Sequence, residues 1–470
     1  MFDVQTRAFL RRLKIVRVAR QCLMFNVKSC CLLLLFLVVG CQSKQDLPQD
    51  PDIQVYFNHR ESSSYRDPYR KIKRSGDNLE RVIIDAIADA NNTIDVAVQE
   101  LQLPLISEAL AKKAQEGVKV RIVLENQYSS PVSTIASQLN RLSQREKNRY
   151  QQYIQLIDRD GNGVIDPEEA NNNDALVILK NAGIKVIDDT ADGSKGSGLM
   201  HHKFVVIDGV KVLTGSNNYT LSGIHGDLNA PLTRGNANHL LVINRPEVAR
   251  LFSSEFDYLW GENDSPQFGL DKPYRPPVTL SWKDTSITVQ FAPTSKTKGW
   301  EATTNGLIGT AIERSQQSVD MALFVFSEQP LADILQDQDG IAIRGLIDDE
   351  FIFRYYSEAL DLLGVAMLNN CKYEADNNPW QQPITTIGTA NLTAGDKLHH
   401  KFAIVDNQTV ITGSQNWSAA ANYSNDEAVI IIENATVAKQ FQQEFDRLYQ
   451  RAFLGLPTTI REKIAKEQRC

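Results

Sequence analysis

The chain has 470 residues, 42% of them hydrophobic and 23% charged, with a formal net charge of −7. That length suits two ordinary domains or a fused pair, and the composition is that of a folded globular chain rather than a low-complexity one. Six cysteines exclude a disulfide-dense scaffold, and no CxxC pair signals a zinc site.

In chain order, the first feature is "CCLLLLFLVVG", an apolar run after Lys28 and a scatter of basic residues. It is shorter than the roughly 20 residues a membrane span needs and has the form of a signal-peptide core. It ends in "LVVGC", which resembles a bacterial lipobox. The resemblance implies a signal peptide over 1–40, cleavage after Gly40 and lipid attachment at Cys41. Gln42, standing where an Asp would mark inner-membrane retention, favours the outer membrane or cell surface of an exported lipoprotein. Met24 is an alternative start giving a more usual signal length. Residues 1–40 hold seven basic and one acidic residue, so 50 basic and 57 acidic residues become 43 and 56, a net −13. Such a surface offers no global attraction to nucleic acid. With Cys41 lipidated, Cys371 and Cys470 leave at most one disulfide.

After a tether over 41–52 the chain reads as a duplication. "IQVYFN" and "ITVQFAP" are period-2 strand candidates. Each is followed by an amphipathic helix and an apolar strand, then a second helix–strand pair. Each half closes with a helix, "VARLFSSEFDYLW" or "VAKQFQQEFDRLY". Strands alternating with helices predict α/β layers: an N-terminal half over 53–268, a Pro-rich linker over 269–285 and a C-terminal half over 286–470. The fold class expected is α/β, two similar α/β/α sandwich halves packed as an internal pseudo-dimer in a monomer. The first half carries about 30 extra residues, placed around 128–175.

The strongest repeat is "HHKFVVIDGVKVLTGSNNYT" from His201, returning 198 residues later as "HHKFAIVDNQTVITGSQNWS" from His399, with ten identical positions. Both read as hairpins, turning at Asp208-Gly209 and around Asn407. Residues i and i+2 share a strand face, so His201 and Lys203 point together, as do His399 and Lys401. Folding each hairpin brings Asn218 or Asn416 beside them. One imidazole, one ammonium and one amide can clasp a phosphate: Lys and Asn donate to its oxygens, and His attacks phosphorus or moves a proton. Lysine is no metal ligand in this company, so no catalytic cofactor is expected.

The pattern His-x-Lys-(x4)-Asp-(x6)-Gly-Ser-x-Asn, present twice, resembles the phospholipase D superfamily. Its copies are His201, Lys203, Asp208, Gly215, Ser216 and Asn218, and His399, Lys401, Asp406, Gly413, Ser414 and Asn416. The resemblance implies one active site between the halves. By the family's usual polarity His201 becomes a phosphohistidine, and His399 protonates the leaving alcohol and then activates water. Asp208 and Asp406 are expected as structural partners. A carboxylate downstream often holds the histidine's other ring nitrogen. Within the halves that assigns Glu427 to His399 and the uncharged Asn238 to His201.

The insert contains "DRDGNGVIDPEE", which matches an EF-hand calcium loop. Asp158, Asp160 and Asn162 hold positions 1, 3 and 5, Gly163 the turn, and Val164 offers its carbonyl. Asp166 stands at position 9 and Glu169 closes the loop. Tyr150, Tyr153, Ile154 and Ile157 have the spacing of the entering helix. Ca²⁺ here is expected to be structural or regulatory. Long polar loops precede each motif histidine and read as solvated, Trp380 of the second being a candidate for contact with lipid headgroups. Anchor and charge together favour phospholipid at a membrane surface as substrate. A secreted nuclease, with nucleic acid as partner, is the alternative. A cardiolipin-synthase-like phosphatidyltransferase and an inactive calcium-binding surface lipoprotein follow.

Overall fold

The computed structural model describes residues 46–262 and 265–467. The signal peptide, Cys41 and Cys470 of the sequence reading lie outside these residues. Cys371 is disulfide-bonded.

The first sheet has seven strands in the spatial order Ile53–Phe57, His239–Ile243, Lys211–Gly215, Lys203–Ile207, Thr93–Val98, Lys119–Leu124, Val186–Asp188. The second repeats that order: Thr285–Ala292, Glu427–Glu433, Thr409–Gly413, Lys401–Val405, Ser318–Leu323, Ala342–Ile347, Ile387–Thr389. Phe453–Leu454 extends one edge. Val278–Trp282, inside the predicted linker, extends the other by pairing with Thr285–Ala292. Past the prolines that stretch is rich in β-branched and aromatic residues, so it adds a strand where a plain connection was expected.

In each half a helix crosses between the two central parallel strands, Pro104–Gln115 or Gln329–Gln336. Both begin with proline in the first turn, where its missing N–H costs nothing. The motif hairpins turn at residues of positive φ, Asp208 (52°) with Gly209 (63°) and Asp406 (53°) with Asn407 (55°), as a tight turn between twisted strands requires. The Asp208 carboxylate accepts from the backbone N–H groups of Asn91, Asn92 and Thr93, at 2.7–2.8 Å. Asp406 does the same for Gln316, Gln317 and Ser318 at 2.7–2.9 Å. Each motif aspartate thus fixes the entry of a central strand.

The apolar core has three layers. A central cluster takes inner-face residues from both sheets and both closing helices, Pro246–Trp260 and Ala435–Tyr449. Phe57 of the first half meets Phe441 of the second edge to face, with centroids 5.2 Å apart. Separate outer clusters lie under the helices of each half. Trp380 belongs to the second of these and is 7% exposed, which corrects its reading as a headgroup contact: the apolar ring is worth more inside. Insert residues Tyr150, Tyr153 and Ile157 form a small core with Val132. Among the described residues, no helix is long and apolar enough to cross a membrane.

Candidate active site

The two motif histidines sit just before their strands, where the halves join by a pair of crossed backbone contacts. His201 N–H donates to the Asp426 carbonyl at 3.0 Å, and His399 N–H donates to the Ala237 carbonyl at 3.1 Å. Asp426 and Ala237 each lie one residue before the side chain that holds a histidine. The register therefore delivers that side chain across the interface.

This corrects the expected pairing. Glu427 holds His201, at 2.8 Å from Nδ1 to Oε2, and Asn238 holds His399, at 2.9 Å from Nδ1 to Oδ1. The sequence reading kept each partner within its own half; the bridges between the halves exchange them. A carboxylate can only accept, so Nδ1 of His201 carries the proton and Nε2 keeps its lone pair. Asn238 donates its Nδ2 to the Gly223 carbonyl at 2.9 Å, which turns its oxygen to His399. The motif serines brace the partners: Ser216 donates to Asn238 and Ser414 to Glu427, both at 2.7 Å.

Lys203 and Lys401 are buried, and each donates to the carbonyl of its own motif histidine at 2.9 Å. Lys203 also reaches Gln99 at 3.3 Å, while Lys401 lies over the Phe324 ring at 4.8 Å. Burial lowers Lys203 to about 8 despite the opposing pull of Glu427. Burial, then the charge of Lys203, pushes Lys401 well down. Burial takes His201 to about 4, and burial with the two lysines takes His399 well below the usual imidazole range. Burial alone would raise Glu427; His201, Lys203 and the Ser414 hydroxyl hold it below the usual carboxylate range. The centre thus gathers two neutral imidazoles, the two motif lysines and the Glu427 carboxylate, a setting complementary to a phosphodiester monoanion.

Asn218 and Asn416 each lie three residues past the second strand of their motif hairpin, and Asn218 Nδ2 donates to Glu100 at 3.5 Å. Two further carboxylates escaped the sequence reading. Glu125 accepts from Met200 N–H at 2.6 Å, and Asp348 accepts from Leu398 N–H at 2.8 Å. Each fixes the residue before a motif histidine, and burial raises them to about 7 and about 6. Their signal was an acid directly after an apolar strand in both halves, "RIVLE" and "RGLID".

In the insert, carboxylate oxygens of Asp158, Asp160 and Glu169 lie within 4.8 Å of one another. Asn162 is turned inward on Asp160, donating to it at 2.7 Å. Asp166 caps the helix Pro167–Asn173 in a capping box with Glu169, and the Val164 side chain is exposed.

The chain matches the family described as cardiolipin synthase, PLD-like domain, over residues 83–260 and 308–449. The mitochondrial cardiolipin hydrolase of Xenopus tropicalis is 30% identical over 141 residues, which is 29% of this chain and 57% of that protein. The Homo sapiens protein of the same name is 29% identical over 142 residues, 30% of this chain and 48% of that protein. This chain spans about half the length of these curated relatives. The solved phosphatidylserine synthase of Haemophilus influenzae Rd KW20 shares the fold, with a TM-score of 0.53 at 12% identity, covering 90% of this chain and 94% of that one. With both motif copies inside the matched segments, and both histidines meeting at one centre, the chain belongs to the family of cardiolipin synthase, PLD-like domains.

Proposed function

We propose that this chain is a phosphodiesterase of phospholipase D type, hydrolysing phospholipid headgroup diesters to phosphatidic acid and a free alcohol. The observation that carries the reading is the unequal support of the two histidines, a buried carboxylate behind His201 and a neutral amide behind His399.

Nε2 of His201 attacks phosphorus, and the bond from phosphorus to the headgroup oxygen breaks. His399, kept neutral in the free enzyme by burial and the lysine charges, takes up a proton from solvent as the anionic diester binds and gives it from Nε2 to that oxygen. The N-phosphorylated imidazole is cationic, and Glu427 lies against its Nδ1–H to stabilise it. His399 then takes a proton from water, which attacks phosphorus and breaks the P–N bond. Proton transfer of this kind is worth about 10²–10⁴-fold. Lys203, Lys401, Asn218 and Asn416 hold the phosphoryl oxygens throughout.

Three observations favour lipid: the net charge of −13 after residue 40, the lipobox-like Cys41, and relatives named for cardiolipin hydrolysis. On this reading the enzyme is an exported lipoprotein held by Cys41 at the outer membrane or cell surface, and works as a monomer. The loop 158–169 binds Ca²⁺ in a structural or regulatory role. Its three clustered carboxylates suit an ion with oxygen ligands at about 2.3–2.6 Å, and Asn162, Val164 and Asp166 complete the set.

The test is residues 42–470 with phosphatidylcholine or cardiolipin vesicles, and separately with single-stranded and duplex DNA, each with Ca²⁺ or EGTA and with His201→Ala as blank. Phosphatidic acid that disappears in the variant is the expected result. DNA cleavage with lipid intact makes the chain a nuclease. A phosphatidyl product on an added alcohol, in preference to phosphatidic acid, makes it a transferase.

A further inference from the structure

The duplication supplies its own control, because superposing the two motifs in register exposes what only one half has. Gln99 N–H donates to the His202 carbonyl at 2.9 Å and Phe324 N–H to the His400 carbonyl at 2.8 Å. Leu101 bridges Tyr219 as Phe326 pairs with Trp417. Glu100 therefore occupies the place that Val325 takes in the second half. Glu100 is 8% exposed, and its backbone carbonyl accepts from Tyr219 N–H at 3.1 Å, directly after Asn218. Its side chain accepts from Asn218 Nδ2 through Oε1 at 3.5 Å and from the Tyr153 hydroxyl through Oε2 at 2.8 Å.

Tyr153 comes from the insert, which the second half also lacks. It stands on the helix Gln144–Ile157, one turn before the loop 158–169 begins. That helix is anchored on both sides. Leu156 is buried in the outer core of the first half, and Tyr150, Tyr153 and Ile157 are buried in the insert's own cluster. The Tyr153 hydroxyl thus arrives at Glu100 on a fixed frame, and a phenol donor to a carboxylate is a strong, directional contact.

We propose that the insert is a working part of the active site, with Tyr153 fixing Glu100 so that Glu100 orients the Asn218 amide toward the phosphoryl oxygens and keeps a negative charge facing Lys203. Tyr153 and Glu100 are positioning residues, acting through Asn218 and Lys203. The charge of Glu100 is among those that oppose the burial-driven fall of the Lys203 ammonium. This inference rests on the phosphodiesterase reading and deepens it.

The experiment uses the full mature chain and bis(p-nitrophenyl) phosphate, with kcat and KM followed across pH for wild type, Tyr153→Phe, Glu100→Gln and the control Tyr150→Phe. Tyr150 lies in the same small core with its ring buried. The expected result is a fall in kcat of about tenfold in Tyr153→Phe, the size of one charge-assisted hydrogen bond, with KM and Tm unchanged and Tyr150→Phe like wild type. In Glu100→Gln the alkaline limb of activity moves to lower pH, because Lys203 loses a supporting charge; a role confined to packing would lower Tm and leave that limb in place. Wild-type kcat in Tyr153→Phe, or an unmoved limb in Glu100→Gln, overturns the inference while leaving the phosphodiesterase reading intact. No turnover in wild type at all overturns the reading, and the inference falls with it.

Discussion

At the scale of residues, the chemistry turns on which group stands behind each histidine. Glu427 is fully buried and Asn238 equally so, so their difference in charge acts undiluted by solvent. Glu427→Gln keeps shape and the Ser414 contact but removes the anion behind the proposed phosphohistidine; kcat is expected to fall about 10²–10⁴-fold, as for loss of the orienting carboxylate in a catalytic triad. Asn238→Ala removes a neutral hydrogen bond, and about tenfold is expected. The two rates against a soluble diester decide it, and equal losses would deny the asymmetry. The pH profile has a definite sign. Activity rises as His201 loses its proton near 4 and falls toward alkaline pH as the proton on His399 and those on the buried lysines are lost, Lys203 near 8; a bell-shaped kcat/KM profile between those limbs is the expected outcome.

At the scale of elements, the motif hairpins, the alternation of helix and strand, and the entering helix of the insert were all legible. They rest on local signals: Asp-Gly at a turn, period-2 against period-3.6 patterning, and the helical spacing of apolar residues ahead of the loop 158–169. The exchange of Glu427 and Asn238 was not legible, because it depends on how residues 200 and 426, and 237 and 398, bridge between the halves. Nothing in either half alone encodes that register. Glu125 and Asp348 could have been found by aligning the ends of equivalent strands. Loop 158–169, proposed above to bind Ca²⁺, gives a further prediction. Ca²⁺ at millimolar concentration should raise Tm in wild type and do little in Glu169→Gln, which lacks the closing carboxylate. Because the helix Gln144–Ile157 leads into that loop, Ca²⁺ should also change kcat in wild type more than in Tyr153→Phe.

At the scale of the whole molecule, the halves share their central core. Phe57 packs across the boundary on Phe441, with centroids 5.2 Å apart, and Phe441 packs on Phe402 of its own half at 5.0 Å. Phe441→Ala is therefore expected to cost about 3–5 kcal/mol by denaturant titration and to lower activity with it, because that core holds the two motifs in contact. The halves produced separately should be inactive, each lacking the group that orients its histidine. The central claim is that His201, held from the other half by Glu427, is the nucleophile. Its most direct test is to mix His399→Ala with bis(p-nitrophenyl) phosphate, quench in the first turnover, and map the modified peptide by mass spectrometry. The account predicts a burst of one equivalent of p-nitrophenolate and a phosphoryl adduct on His201, absent when Glu427→Gln is added. A burst with the adduct on any other residue, or full turnover with no adduct, would contradict it.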